Sequence, residues 1–307
     1  MTVLTVTLNA ALDVTYEVDG VDWDGVNRVR AVHRRAGGKG VNVARVLAAL
    51  GHPVLATGLT GGTTGAAIRA DLDAAGVPHS FTPVSGHSRT TLAVCSDTGT
   101  TAMFNEPGPV VSAAEIGAFL RDFDRLLAGA SVVVISGSLP PGVPAAFYAT
   151  LAWRAGEHGV AAIIDADGHP LRHAPSGRPA ILKPNAAELA RALLGADTDA
   201  VAGARALRAA GAGAVVVSLG AGGLVAVTAD GTWRVRMPYP VAGNPTGAGD
   251  AVVAGLAQGL VTGTPWPDRL RTAAALGAAA VAAPVAGDFD VTLFQSIRHR
   301  IDVQEEE

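Results

Sequence analysis

The run Asn244-Pro245-Thr246-Gly247-Ala248-Gly249-Asp250 stands immediately before an apolar helical stretch at 251–260. Glycines at 247 and 249 let successive backbone N–H groups turn toward one point, and the following helix adds its positive end. That combination makes an anion hole. Asp250 falls in the first helical turn, beside the place where a phosphoryl group would be held, and a carboxylate there can accept a proton from an attacking hydroxyl. Helix capping is the competing use of the same residue, because Asp is favoured at helix starts.

A second signal is the choice of cations. Of the twenty-three basic residues only Lys39 and Lys183 are lysines. Lysine is a compact point charge on a flexible stem and arginine a broad planar fork, so a site built for one need not accept the other. Both lysines stand in turn-rich segments, Gly37-Gly38-Lys39-Gly40 and Leu182-Lys183-Pro184-Asn185, next to helix starts of the kind that hold phosphate. Neither familiar glycine signature is present. No Ser or Thr follows Lys39 as in a Walker loop, and no G-x-G-x-x-G follows a strand.

Short β-branched apolar runs recur at 3–8, 54–58, 132–136, 161–165, 181–183, 214–218 and 224–228, with helical patterns at 41–50, 113–127 and 145–158 between them. Such alternation predicts an α/β fold with a mainly parallel central sheet covered on both faces, and ligands beyond the carboxyl ends of its strands. Two polar segments break the rhythm, at about 14–34 and 89–104. The second reads as a hairpin turning at Asp97-Thr98-Gly99, and together they are expected to form a small extra β-sheet, a lid. The chain shows no internal repeat or linker, so a single domain over 1–307 is expected.

Composition narrows the function. With 49% hydrophobic residues and a mean hydropathy of +0.32, the chain can bury a large core. A net charge of -4 argues against nucleic acid as a partner. Cys95 is the only cysteine, which fits a reducing cytoplasm, and the segment 1–8 reads as a strand rather than a signal peptide. The alanine-rich run 272–287 contains Pro284 and is expected to be a buried helix rather than a membrane span, and the acidic tip 305–307 to fray.

Taken in order along nearly the whole chain, Thr7-Leu8-Asn9 with Asp13, Gly37 to Ala44, Asn105-Glu106-Pro107-Gly108-Pro109, Ser136-Gly137-Ser138-Leu139-Pro140, Lys183-Pro184-Asn185 with Glu188, Ser218-Leu219-Gly220 and Gly247 to Asp250 resemble the ribokinase-like, phosphofructokinase-B family. The pattern is most similar to the branch containing 1-phosphofructokinase and tagatose-6-phosphate kinase. It departs at Ala10, where many relatives have proline after T-L-N.

The resemblance implies a three-layer fold with a β-sheet lid and an ATP- and Mg2+-dependent phosphoryl transfer to a sugar hydroxyl. By it Asp250 is the base, and the backbone of Gly247, Ala248 and Gly249 stabilises the transferring group. Asn185 and Glu188 match the family's N-x-x-E, which organises Mg2+ largely through water, with Asp165 as a further helper. Lys183, Ser218 and Gly220 would meet the nucleotide, although a buried lysine paired to structural carboxylates is the alternative for Lys183. Asp13, Gly38, Lys39 and Asn42 make the sugar end, and Arg28 and Arg89, one from each lid segment, are candidates for a phosphate clamp. The expected reaction is fructose 1-phosphate to fructose 1,6-bisphosphate. Tagatose 6-phosphate is the close alternative; an unphosphorylated sugar or nucleoside and a silent binding regulator stand further off. A homodimer through the lid is expected.

Overall fold

The computed structural model describes residues 1–97, 101–193 and 199–306. In chain order the first elements are β1 (Thr2–Thr7), β2 (Ala11–Val18), β3 (Ala31–Gly37), α1 (Lys39–Ala49), β4 (Val54–Thr60), α2 (Gly62–Ala74) and β5 (His79–Pro83). Next come β6 (Arg89–Ser96), β7 (Thr101–Asn105), α3 (Ala113–Leu127), β8 (Ala130–Ser136), α4 (Phe147–Glu157) and β9 (Ala161–Asp165). They are followed by α5 (Gly168–His173), β10 (Ile181–Leu182), α6 (Ala186–Leu193), α7 (Ala200–Ala209), β11 (Ala214–Ser218), β12 (Leu224–Val227) and β13 (Thr232–Arg236). The chain closes with α8 (Ala248–Val261), α9 (Trp266–Val281), α10 (Val291–Arg298) and β14 (Asp302–Glu306).

Ten strands form one sheet in the order β14-β13-β12-β11-β10-β9-β8-β1-β4-β5. From β5 to β11 every pairing is parallel, and the pairings β11–β12, β12–β13 and β13–β14 are antiparallel. Strands buried on both faces read as continuous apolar runs, as Val132 to Ile135 do. One face packs on α1, α8 and α9 through Val43, Leu47, Leu256 and Leu276; the other packs on α3 and α4 through Phe119, Phe123 and Tyr148. The mainly parallel three-layer expectation holds. Strand order reverses between β1 and β8, since β4 and β5 follow on one side and β9 to β11 on the other. A crevice at the carboxyl ends of those two strands is where an open α/β sheet places its ligand.

A separate four-stranded sheet has the order β3-β2-β6-β7, with β2 and β6 parallel and both outer pairs antiparallel. Its strands begin earlier than the polar segments suggested, at Ala11, because Asp13 and its neighbours pair directly with β3 and β6. Val29 lies outside the strands, in the exposed 19–30 connection. Thr98 and Gly99 of the expected hairpin turn lie outside the described residues.

Two expectations are corrected. The alanine-rich helix ends at Val281, and 282–290 turns back as a loop around Pro284 and Gly287 toward α8. Glu305 and Glu306 do not fray, for β14 pairs with β13 and Arg234 is bonded to Glu306. Among the described residues no helix is long and apolar enough to cross a membrane.

Candidate active site

The carboxyl ends of β1 and β8 open into a cleft of about 830 Å³, with Thr7, Asn9, Gly137 and Ser138 along its floor. Lys39, the first residue of α1, enters it from the side, and Glu188 and Asp167 face it from the C-terminal half of the chain. Arg89, at the start of β6, lines the wall toward the small sheet.

Behind this cleft the two lysines meet. Lys39 Nζ lies 3.3 Å from Asp165 Oδ1, and Lys183 Nζ lies 3.5 Å from the same oxygen. Lys39 also reaches Glu188 Oε1 at 3.5 Å. Asp165 ends β9 and Lys183 follows β10, the next strand in the sheet, so parallel pairing alone brings them together. Burial by itself would raise Asp165 and lower Lys39, yet the opposite charges prevail, and Asp165 is held below the usual carboxylate range while Lys39 is held above the usual lysine range. Both are therefore charged at neutral pH.

Asp250 stands in the first turn of α8, only 5% exposed. Burial, with the Asp165 charge adding to it, pushes its carboxyl up to about 7, against the pull of Lys39, the Asn42 hydrogen bond and Lys183. Asn42 Nδ2 donates to Asp250 Oδ2 at 2.8 Å, and Oδ1 carries no hydrogen bond among the described residues. A carboxyl poised near neutrality with one oxygen open is suited to taking a proton. Gly247 caps the helix at φ 85°, a left-handed backbone that favours glycine, and a Cβ there would stand 2.9 Å from Ala286 Cβ. Ala248 N–H is spent on Pro245 O at 3.2 Å. Gly249 N–H belongs to the turn that no helix carbonyl can reach, and Lys183 Nζ lies 3.4 Å from where a Gly249 side chain would begin.

Asn185 and Glu188 cap α6 reciprocally: Asn185 N–H donates to Glu188 Oε2 at 2.8 Å, and Glu188 N–H donates to Asn185 Oδ1 at 2.8 Å. Glu188 still presents Oε1 toward Lys39 and the cleft. Ser218 pairs as a bridge with Asn185, and Gly220 opens the exposed turn that follows β11. Neither residue lines the cleft.

At the other end, Asp13 on β2 faces Arg35 across one pairing and Thr91 across the other. Burial raises its carboxyl to about 6, with Arg89 the largest opposing influence. It lies so close over Gly37 that a side chain at 37 would begin 1.9 Å from Asp13 Oδ2. Gly38 caps α1. Arg89 Nε donates to Asn9 O at 3.0 Å and Nη1 to Glu106 O at 3.4 Å. Arg28 is on the exposed 19–30 connection and does not line the cleft.

The structure thus gathers Lys39, Asn42, Asp165, Lys183, Glu188, Gly249 and Asp250 into one centre, with Gly38, Asp13 and Arg89 beside it. Asn9 and Ser138 were missed as site residues although their motifs were legible; the signal was that both runs end strands at the switch point. Asn9 Nδ2 donates to Ser138 Oγ and to Pro107 O, each at 3.1 Å, closing the cleft floor.

A strand-end cleft, a glycine-capped helix carrying a poised carboxyl, paired lysines and a second sheet define an α/β phosphotransferase of ribokinase-like fold. The chain belongs to the pfkB family of carbohydrate kinases, whose profile matches residues 6–291, and it is an ATP-dependent sugar kinase. It is similar to phosphofructokinase-2 from Escherichia coli in complex with fructose-6-phosphate, at 29% identity over 97% of this chain and 98% of that one, TM-score 0.88. A possible 1-phosphofructokinase from Thermotoga maritima is 27% identical over the whole of both chains, TM-score 0.89. Arabidopsis thaliana ribokinase complexed with ribose and ATP, 21% identical over 96% and 98% of the two chains with TM-score 0.76, shares the fold.

Proposed function

We propose that this kinase acts on a hexose already carrying a phosphate, converting fructose 1-phosphate to fructose 1,6-bisphosphate with ATP. The observation that carries the reading is Arg89, which with Lys39 supplies the cleft's two cations beside the carboxylates Glu106, Asp167 and Glu188, and which, unlike Lys39, has no salt bridge among the described residues. Arg89 has Nε and Nη1 committed to backbone carbonyls, which fixes the guanidinium and leaves Nη2 for a phosphate oxygen. Asp13 would accept sugar hydroxyls. Arg28 joins the clamp where the 19–30 loop swings over the cleft or a second copy presents it.

Asp250 takes the proton of the attacking hydroxyl through Oδ1 while Asn42 steadies Oδ2. Gly247 and Gly249, the latter with its free N–H, together with Ala248 form the helix start that faces the transferring group, and Lys183 and Lys39 flank it. Ser218 and Gly220 would support the nucleotide. The donor set fits Mg2+: Glu188 and Asp165 offer hard carboxylate oxygens, Asn185 orients Glu188, and among the described residues no trio of ligating side chains forms a cage. An ion held by one or two carboxylates, phosphate oxygens and water is the arrangement magnesium prefers, and it would supply charge neutralisation between the phosphates.

A homodimer through the small sheet is part of the proposal. Phe104 of β7 and Trp23 and Val29 of the 19–30 connection are exposed and line one apolar groove with Tyr16 and Val94 of the small sheet. The test is kcat/KM for fructose 1-phosphate, tagatose 6-phosphate, fructose 6-phosphate, fructose and ribose. Fructose 1-phosphate should lead; a preference for the neutral sugars would remove the clamp, and a lead by tagatose 6-phosphate would exchange the substrate while keeping it.

A further inference from the structure

Four charged side chains outside the transfer centre link its two ends. Arg35, near the end of β3, grips Asp288 with both nitrogens, Nη1 to Oδ2 at 2.9 Å and Nη2 to Oδ1 at 2.5 Å, across 253 residues of sequence. Arg45 on α1 is buried and bonded to Asp71 of α2, and Asp71 Oδ2 also accepts the N–H of Ala36, next to Arg35, at 2.8 Å. The two guanidiniums repel each other, and the two carboxylates hold them.

What these groups touch gives them a role. Arg35 stands opposite Asp13 in the β2–β3 pairing, and β3 runs straight into Gly37, Gly38 and Lys39. Asp288 belongs to the loop after α9. In that loop Ala286 packs on Gly247, the cap of the transfer helix, and Gly287 sits against Asn42 and Arg45, its missing side chain 3.2 Å from Asn42 Oδ1 and 3.0 Å from Arg45 Cδ. Asn42 in turn holds Asp250. The loop is wedged between the residue that steadies the base and the residue that shapes the anion hole.

We propose that Arg35 and Asp288 are a positioning pair that fastens this loop to the sugar-facing strand, so that sugar phosphate bound over Asp13 sets the geometry of Gly247 and Asp250. Neither side chain touches the reacting atoms. Their effect is to make the phosphate-transfer end ordered when the sugar end is ordered, which raises turnover of bound ATP toward sugar and not toward water. The inference rests on the assignment of Asp13 to sugar and Asp250 to proton transfer.

The experiment is a double-mutant cycle with Arg35→Gln and Asp288→Asn in the full-length enzyme, with Asp288→Glu as the conservative variant. Initial rates are measured with ATP and the sugar phosphate turned over fastest, each varied at several fixed levels of the other, alongside thermal melts. In the parent the apparent KM for ATP should fall as sugar phosphate rises. Each single variant should lose on the order of 10-fold in kcat and lose that dependence, since small misplacements near a transfer site carry large rate penalties. The double variant should be no worse than either single, and Asp288→Glu should recover most of the loss. Additive losses, unchanged co-substrate dependence in the variants, or a parent without such dependence would overturn the proposal. Asp250→Asn in the same assay separates the readings: if it turns over normally the site assignment fails, whereas inactive Asp250→Asn beside parent-like Arg35 and Asp288 variants defeats the positioning pair alone.

Discussion

At the residue scale the protein turns on how burial is offset by charge. Asp250 and Asp165 are both buried carboxyls close to lysine, yet they are driven in opposite directions: Asp165 has two ammonium groups within 3.5 Å, whereas Asp250 feels them at longer range and has Asp165 against it. One is a fixed anion, the other a group that titrates near neutrality. Activity should therefore rise as pH increases through about 7, the value at which Asp250 loses its proton. Lys39→Gln removes a cation that lowers Asp250, so the acid limb of the kcat profile should move to higher pH; a limb that stays in place would place the titrating group elsewhere. Asp250→Asn should lower kcat by roughly 100-fold or more with ATP binding retained, measured by nucleotide titration. Lysine rarity pointed in the sequence to two ends of a site, Lys39 for the sugar and Lys183 for the nucleotide. It did not reveal that both lysines converge on one carboxylate, because Asp165 comes from a strand whose neighbour in the sheet is fixed only by the fold.

At the element scale, helix starts and strand ends carry the site, and their legibility was uneven. The helix Ala113–Leu127 was readable to the residue, since Ser112 and Glu115 form a capping box and its apolar face repeats at helical spacing. Phe119 on that face is fully buried and stacks with Phe123, so Phe119→Ala should cost about 3–5 kcal/mol in a denaturant titration while leaving both KM values intact. Strand β13 and its edge neighbour β14 were not readable, being short, polar on one side and paired late in the chain. The end of α9 was misplaced because alanine favours helix at every position, whereas Pro284, which disfavours helix at the residue before it, and the loop's packing on Gly247 stop it at Val281. Gly37 shows the reverse case of a residue whose need is purely spatial. Gly37→Ala would push into Asp13 Oδ2, and the expected result is a sugar KM raised by on the order of 10-fold with the KM for ATP little changed.

At the scale of the whole molecule, the raised carboxyls shape stability. Asp13 and Asp250 have folded values of about 6 and about 7, above the 3.8 of an exposed aspartate, so the folded state binds more protons than the unfolded state between these limits. Stability from these groups is fully present below the ordinary aspartate range and is lost as pH rises through 6 and 7. Melting temperature should fall from pH 5.5 to pH 7.5 for the parent, and Asp250→Asn should flatten part of that slope in differential scanning calorimetry. The general architecture was legible because alternation of apolar runs dictates a parallel sheet. The Arg35–Asp288 link was not, because its partners are 253 residues apart and each alone reads as a surface charge.

The candidate sugar-facing side chains all come from residues 7–138 and the candidate nucleotide-facing ones from 183–250, so the two specificities occupy different stretches of one polypeptide. Recombination could therefore exchange one without the other: grafting 11–37 and 89–105 from a relative is the natural crossover for a new sugar. A graft that brings another residue to position 35 would strand Asp288 without its arginine, and position 288 should then travel with it.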